Sequence, residues 1–143
     1  MVLNYTEMVR ERSPFVKFLG LQIIKFDNGY CQCSLEIKNN LLNSHKAVHG
    51  GVIYTMVDVA MGSALYSTFK KDELAATIEI KINYLKPAYT KLLICEAKVV
   101  QKGKNIAVLE AEIKYDDVLV AKALGTFSIF KAGAGSSRPD KNE

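Results

Sequence analysis

The sequence predicts an α+β fold in which a strongly curved antiparallel sheet of about six strands wraps around one long buried helix. Three observations predict it. Residues Gly51 to Phe69 read as a helix that is apolar on nearly every side, with Val52, Ile53, Met56, Val57, Ala60 and Leu65 spread around its circumference. A helix of that kind must be buried all round. Six strand-like runs flank it, two before and four after. Finally, 143 residues at 49% apolar and 24% charged hold one domain with one core. With so few strands, curling the sheet around the helix is the economical way to bury it.

Each element follows from local pattern. Asn4 to Ser13 reads as a short helix with Tyr5, Met8, Val9 and Arg12 along one side, ended by Pro14. Leu19 to Phe26 and Tyr30 to Ile37 flank Asp27-Asn28-Gly29, and Asn-Gly tolerates the positive φ that a tight hairpin needs. Lys38 to Val48 is an irregular polar loop leading into the long helix, where the small residues Ala60, Gly62, Ser63 and Ala64 let strands approach. In Ala75 to Leu85 the side chains alternate: Ile78, Ile80, Ile82 and Tyr84 face one way, Thr77, Glu79, Lys81 and Asn83 the other. Leu92 to Gln101, Asn105 to Tyr115 and Val118 to Phe130 form an antiparallel meander with turns at Lys102-Gly103-Lys104 and Asp116-Asp117. The expected organisation is an N-terminal helix over residues 1–14, a domain over 15–130 and a flexible tail over 131–143 that lacks core-forming residues.

Composition narrows the function. A net charge of +4 is scattered with no Lys/Arg run, so it is not a nucleic-acid footprint. Cys31, Cys33 and Cys95 are odd in number and lack a C-x-x-C spacing, which suits a reduced, cytoplasmic protein. The N-terminus lacks the basic-then-apolar order of a signal peptide. Val52 to Phe69 is at the lower length limit for a membrane span and carries an acid, a glycine and several hydroxyls, so no membrane span is expected.

The chemistry concentrates where the loop meets the long helix. Gly50 and Gly51 offer unshielded backbone N–H groups at the positive end of the helix dipole, which attract an anion or a polarised carbonyl oxygen. Asp58, seven residues past Gly51, projects from the same side and is the only charged residue between His49 and Lys70. Such an acid is either satisfied structurally or acts as a general base or nucleophile with its pKa raised by apolar surroundings. His45 and His49 are four apart, but the loop is not helical and offers no further ligand, so no metal is expected. His49 either pins the loop or orients a substrate carbonyl.

The arrangement of Asn43, His49-Gly50-Gly51 six residues on, and Asp58 nine residues after His49 resembles the hotdog-fold acyl-CoA thioesterases of the phenylacetyl-CoA (PaaI-like) group. The likeness extends over about residues 15–130, through Asp58-Val59-Ala60-Met61-Gly62, the strand from Thr77 to Tyr84, Leu85-Lys86-Pro87-Ala88, Gln101-Lys102-Gly103-Lys104 and Leu119-Val120-Ala121-Lys122-Ala123. This resemblance implies a homodimer with one continuous sheet, usually paired into a tetramer, with the loop of one chain facing Asp58 of another. It implies Asp58 as the catalytic carboxylate, Gly50 as backbone donor to the thioester carbonyl, Asn43 and His49 as polar surround, and Thr77 as a hydroxyl that helps hold water. The chain departs from the group at Lys46, where glycine is common, and this bears on how the loop places Asn43.

The expected reaction is hydrolysis of an acyl-CoA to free acid and CoA, without a cofactor. A thiolate leaves readily near neutral pH, so a carboxylate and an oxyanion donor suffice. Gly51, Lys86, Pro87, Lys102, Gly103 and Lys104 are the candidates for meeting CoA, the lysines through its phosphates. Tyr54, Met56, Met61 and Tyr66 are candidates for an acyl pocket, and aryl-acetyl, hydroxybenzoyl and medium-chain groups all stay open. A non-catalytic acyl-CoA-binding module and a hotdog dehydratase or hydratase are the competing readings.

Overall fold

The computed structural model describes residues 2–133. Its elements run α1 (Val2–Arg12), α2 (Pro14–Leu19), β1 (Gln22–Asp27), β2 (Tyr30–Glu36), α3 (Gly50–Tyr66), β3 (Glu73–Tyr84), β4 (Leu92–Lys102), β5 (Ile106–Tyr115) and β6 (Val118–Lys131). The strands make one antiparallel sheet in the order β1-β2-β4-β5-β6-β3. Two-residue turns set two of the hairpins. Asn28 and Gly29 (φ 47 and 78) join β1 to β2, and Asp116 and Asp117 (φ 45 and 60) join β5 to β6. Left-handed backbone at both central positions matches the twist of the paired strands.

The inner face of the sheet packs on α3. Cys31, Cys33, Leu35, Leu93, Cys95 and Ile113 are fully buried against the helix residues Met56, Ala60, Met61 and Leu65. Gly125 lets β6 come close: a Cβ there would stand 2.7 Å from the Met61 sulfur. The outer face carries a charged ladder, with Lys98 pairing Glu110 at 3.0 Å and Glu112 taking both Lys114 and Lys122. No helix among the described residues is long and apolar enough to cross a membrane.

Four expectations need correction. Pro14 ends α1 but also opens a second helix, because proline suits the first helical position. Ser13 caps α2 through its hydroxyl, Gly20 (φ 77) closes it, and the strand therefore starts at Gln22 rather than Leu19. The long helix is not buried all round. The sheet covers one side of it and leaves a stripe of Gly51, Thr55, Asp58, Gly62 and Tyr66 partly or fully open.

The alternation of β3 is broken as well. Thr77 pairs with Phe127 and Glu79 with Thr126, so Ile78 is an extra residue in the ladder. A bulge of this kind re-aims the strand. Thr77 therefore points to the helix together with Ile80 and Ile82, while Ile78 is 55% exposed. Lastly, Lys131 pairs with Glu73 inside the sheet rather than starting a tail; the tail beyond residue 133 lies outside the described residues.

Candidate active site

The candidate residues fall into two clusters along α3 and a third group at its far end. The first cluster surrounds the helix start. His49 is the N-cap, in extended backbone (φ −60, ψ 135), and its Nδ1 accepts the Gly51 N–H at 2.8 Å. An accepting Nδ1 leaves the ring proton on Nε2, so His49 presents a donor outward. The Gly51 amide is thus engaged within the chain. The Gly50 N–H has no acceptor among the described residues and remains available at the positive end of the helix. Tyr84, absent from the sequence-based site, donates its hydroxyl to the Gly50 carbonyl at 3.0 Å. Burial, and secondarily Tyr54, raises the Tyr84 phenol above its ordinary value and keeps it a donor.

The loop before the helix is shaped by Asn43. Its Oδ1 accepts from the backbone N–H of His45 (2.9 Å) and Ala47 (3.1 Å), and its main chain bonds Ala47 and Lys46. Lys46 takes φ 62, the left-handed conformation that glycine adopts without strain. The loop closes as a glycine there would close it. A cavity of about 280 Å³ opens beside it, lined by Asn43, Gly50, Ile53, Tyr84, Lys86 and Pro87.

The second cluster is Asp58 with Thr77. The bulged strand aims the Thr77 hydroxyl at the helix, and it donates to Asp58 Oδ1 at 2.6 Å. Asp58 is half-buried on the open stripe, not enclosed by apolar side chains. A cavity of about 430 Å³ adjoins it, bounded by α1, α3, β3 and Phe127. Of the acyl-pocket candidates only Tyr66 lines this space. Met56 and Met61 are core, and exposed Tyr54 donates to the Ile80 carbonyl.

The third group is split off. Lys102 lies 3.7 Å from Glu73, donates to the Thr68 carbonyl at 3.2 Å and sits over the Phe69 ring. Gly103 and Lys104 share a cavity of about 440 Å³ with Lys70 and Lys131. Lys86 and Pro87, by contrast, belong to the Gly50 end of the helix. Among the described residues no three His, Cys, Asp or Glu side chains gather as a metal site.

One chain does not bring the two halves together. Eight residues of helix put Asp58 about 12 Å along the axis from Gly50.

Comparison with known proteins gives this geometry its context. The sequence pattern of the thioesterase superfamily matches residues 45–122, which include His49, Gly50, Asp58 and Thr77. A Saccharolobus solfataricus chain with a provisional esterase name is 32% identical, over 91% of this chain and 86% of the relative. The medium/long-chain acyl-CoA thioesterase YigI of Salmonella typhimurium is 27% identical over 86% of this chain and 90% of its own. The solved structure of the Escherichia coli PaaI protein, from the phenylacetic acid degradation operon, superimposes with a TM-score of 0.80 at 25% identity, covering 92% of this chain and 94% of that one. The curved six-stranded sheet packed on one long helix is the hotdog fold of these neighbours. With its fold, its loop-to-helix junction and its sequence pattern in agreement, the chain belongs to the thioesterase superfamily.

Proposed function

We propose that the protein hydrolyses acyl-CoA thioesters to free acid and CoA, at sites that two copies of the chain build together. The observation that carries this reading is the Asp58–Thr77 pair, held at 2.6 Å on the side of α3 that the sheet leaves open. Relatives named as acyl-CoA thioesterases support the substrate class.

The chemistry follows from the groups present. The Gly50 N–H receives the thioester carbonyl oxygen and stabilises the oxyanion as it develops. Asp58 takes a proton from water, and the water oxygen forms the new bond to the carbonyl carbon. Thr77 donates to Asp58, and its own oxygen is left to accept from that water. The tetrahedral intermediate then collapses, the C–S bond breaks and CoA leaves as thiolate. Direct attack by Asp58, through an anhydride, is the competing route. Single turnover in oxygen-18 water separates the two, because only the anhydride route places label in Asp58.

Two copies are needed because Gly50 and Asp58 of one chain are too far apart for one carbonyl group. Packing the Gly51 to Asp58 parts of two open stripes antiparallel sets the Gly50 end of one beside Asp58 of the other. The β3 edge favours the same pairing. It is twelve residues long, ends the sheet, and exposes Leu74, Ile78 and Tyr84. A long apolar edge strand is a template for another strand, so a second β3 would continue the sheet; pairing two such dimers gives the tetramer. In this assembly Asn43 holds the loop and His49 presents Nε2–H near the carbonyl. Lys86 with Pro87, and Lys104 with Gly103 and Lys102, form the rim for CoA phosphates. The unpaired thiols Cys31, Cys33 and Cys95 suit the cytoplasm.

The test is thiol release from a panel of acyl-CoAs. Asp58→Asn should lower kcat by about 10²- to 10⁴-fold, the usual contribution of a positioned base. Near wild-type turnover in both Asp58→Asn and Asp58→Ala would sink the assignment. Tight acyl-CoA binding with no turnover by the wild-type chain would favour a binding module instead.

A further inference from the structure

We infer that the cavity between α1 and α3 receives the far end of the acyl group, and that Met8 and Gly62 set which acyl lengths fit. This inference rests on the acyl-CoA reading above. The cavity begins at Asp58 and Thr77 and follows α3 past Gly62 to Tyr66. Asp58, Gly62 and Tyr66 are successive turns of one stripe, so the path is about 12 Å long. That length suits a medium-length hydrocarbon chain and exceeds what an acetyl group fills.

The walls match such a ligand. Val9, Phe69, Leu74 and Phe127 are apolar, and the charged groups on the lining are Asp58 at one end and the exposed Arg12 of α1. Aromatic rings stand at the end away from Asp58. Tyr5 stacks on Phe26 at 4.0 Å and on Tyr66 at 5.5 Å, and its hydroxyl donates to Ser63 at 3.2 Å. The α1 helix that supplies this wall is held to the domain by polar contacts. Arg10 donates to the carbonyls of Leu21 and Gly20, and Thr6 accepts the Ile23 N–H.

Gly62 is the informative residue. Glycine inside a helix costs about 1 kcal/mol relative to alanine, and packing within the chain does not demand it here. A Cβ at this position would find its nearest neighbour, the Phe127 ring, 3.9 Å away. The missing side chain preserves the bore of the cavity. Met8 faces the same space from α1 and, unlike Tyr5 and Val9 of that helix, does not pack against the core.

The experiment compares kcat/KM for dodecanoyl-CoA and butanoyl-CoA. Gly62→Val and Met8→Trp should each lower the long-to-short ratio by about tenfold or more, as expected when a few methylenes lose their place. Met8→Ala should raise it. A ratio unchanged in all three variants, or moved in the same direction by Met8→Ala and Met8→Trp, overturns the inference. If the wild-type chain releases no thiol from any acyl-CoA, the hydrolytic reading has failed and the cavity is read by binding. Non-hydrolysable S-dodecyl-CoA and S-butyl-CoA thioethers are then titrated against the same variants. Affinity that rises with chain length and shifts in opposite directions with the two Met8 changes supports the cavity assignment; length-independent affinity refutes it.

Discussion

Gly50 offers a way to remove a backbone donor without removing the backbone. Its N–H makes no bond within the described residues, it occupies the first helical position, and His49 before it already has ψ 135. Proline is favoured at that position and wants extended backbone before it. A Cβ at Gly50 meets the Tyr84 ring at 3.4 Å, an ordinary contact. Gly50→Pro should therefore fold as the wild type does by circular dichroism and lose about 10²- to 10³-fold in kcat, the usual effect of deleting an oxyanion donor. Full activity would exclude the Gly50 amide from the reaction. At this scale the candidate residues were legible in part. A lone acid on an apolar helix and a glycine pair at its start stand out in any sequence. Thr77 did not stand out by pattern, and only the family resemblance pointed to it: strict alternation turned it away from the helix, because the bulge that re-aims it depends on how β3 pairs with β6, and Ile78 carries no mark of being the extra residue. The hydrogen bond from Tyr84 was equally hidden, since it joins residues thirty-four apart. Lys46 looked like a departure, yet at φ 62 it takes the left-handed conformation that a glycine adopts without strain.

Between elements, β6 comes close to α3 at Gly125. Alanine there would press on the Met61 sulfur in a flexible side chain, so that side chain is expected to shift rather than the fold to fail. Gly125→Ala should cost about 1–3 kcal/mol, the range for overpacking a core. It would be read as a lower urea midpoint with an unchanged m-value. A midpoint equal to that of the wild type would show that Met61 has spare room. Two hairpin turns were readable because each has chemistry of its own: Asn28-Gly29 and Asp116-Asp117. The helix α2 was not. Proline can stop the helix before it or start the helix after it, and at Pro14 it does both. Only the Ser13 cap and the left-handed Gly20 reveal the second role.

Taken whole, the molecule is a sheet closed on one side of a helix and open on the other. Helical periodicity showed that α3 had to be covered, but not that the sheet leaves the stripe from Gly51 to Tyr66 open. Inside the closed half lie all three cysteines. Burial, followed by the neighbouring Cys33, pushes the Cys31 thiol up, and the contact with Cys95 together with burial pushes Cys33 up. A thiol reagent should find none of them in the folded protein and all three after denaturation. Rapid labelling of the native chain would contradict the packing. The expected silence also means that thiol released from CoA can be followed without interference from the protein.

The separation of about 12 Å between Gly50 and Asp58 turns into a genetic statement. If a working site takes its amide from one chain and its acid from another, two inactive proteins should rescue each other. Asp58→Asn and Gly50→Pro chains, unfolded and refolded together, would form mixed dimers in which one site holds both intact groups. Random pairing restores roughly a quarter of wild-type activity, because half of the dimers are mixed and each has one good site. Rescue of that size cannot come from sites confined to single chains, and its absence from a proven mixed dimer would return both groups to one polypeptide.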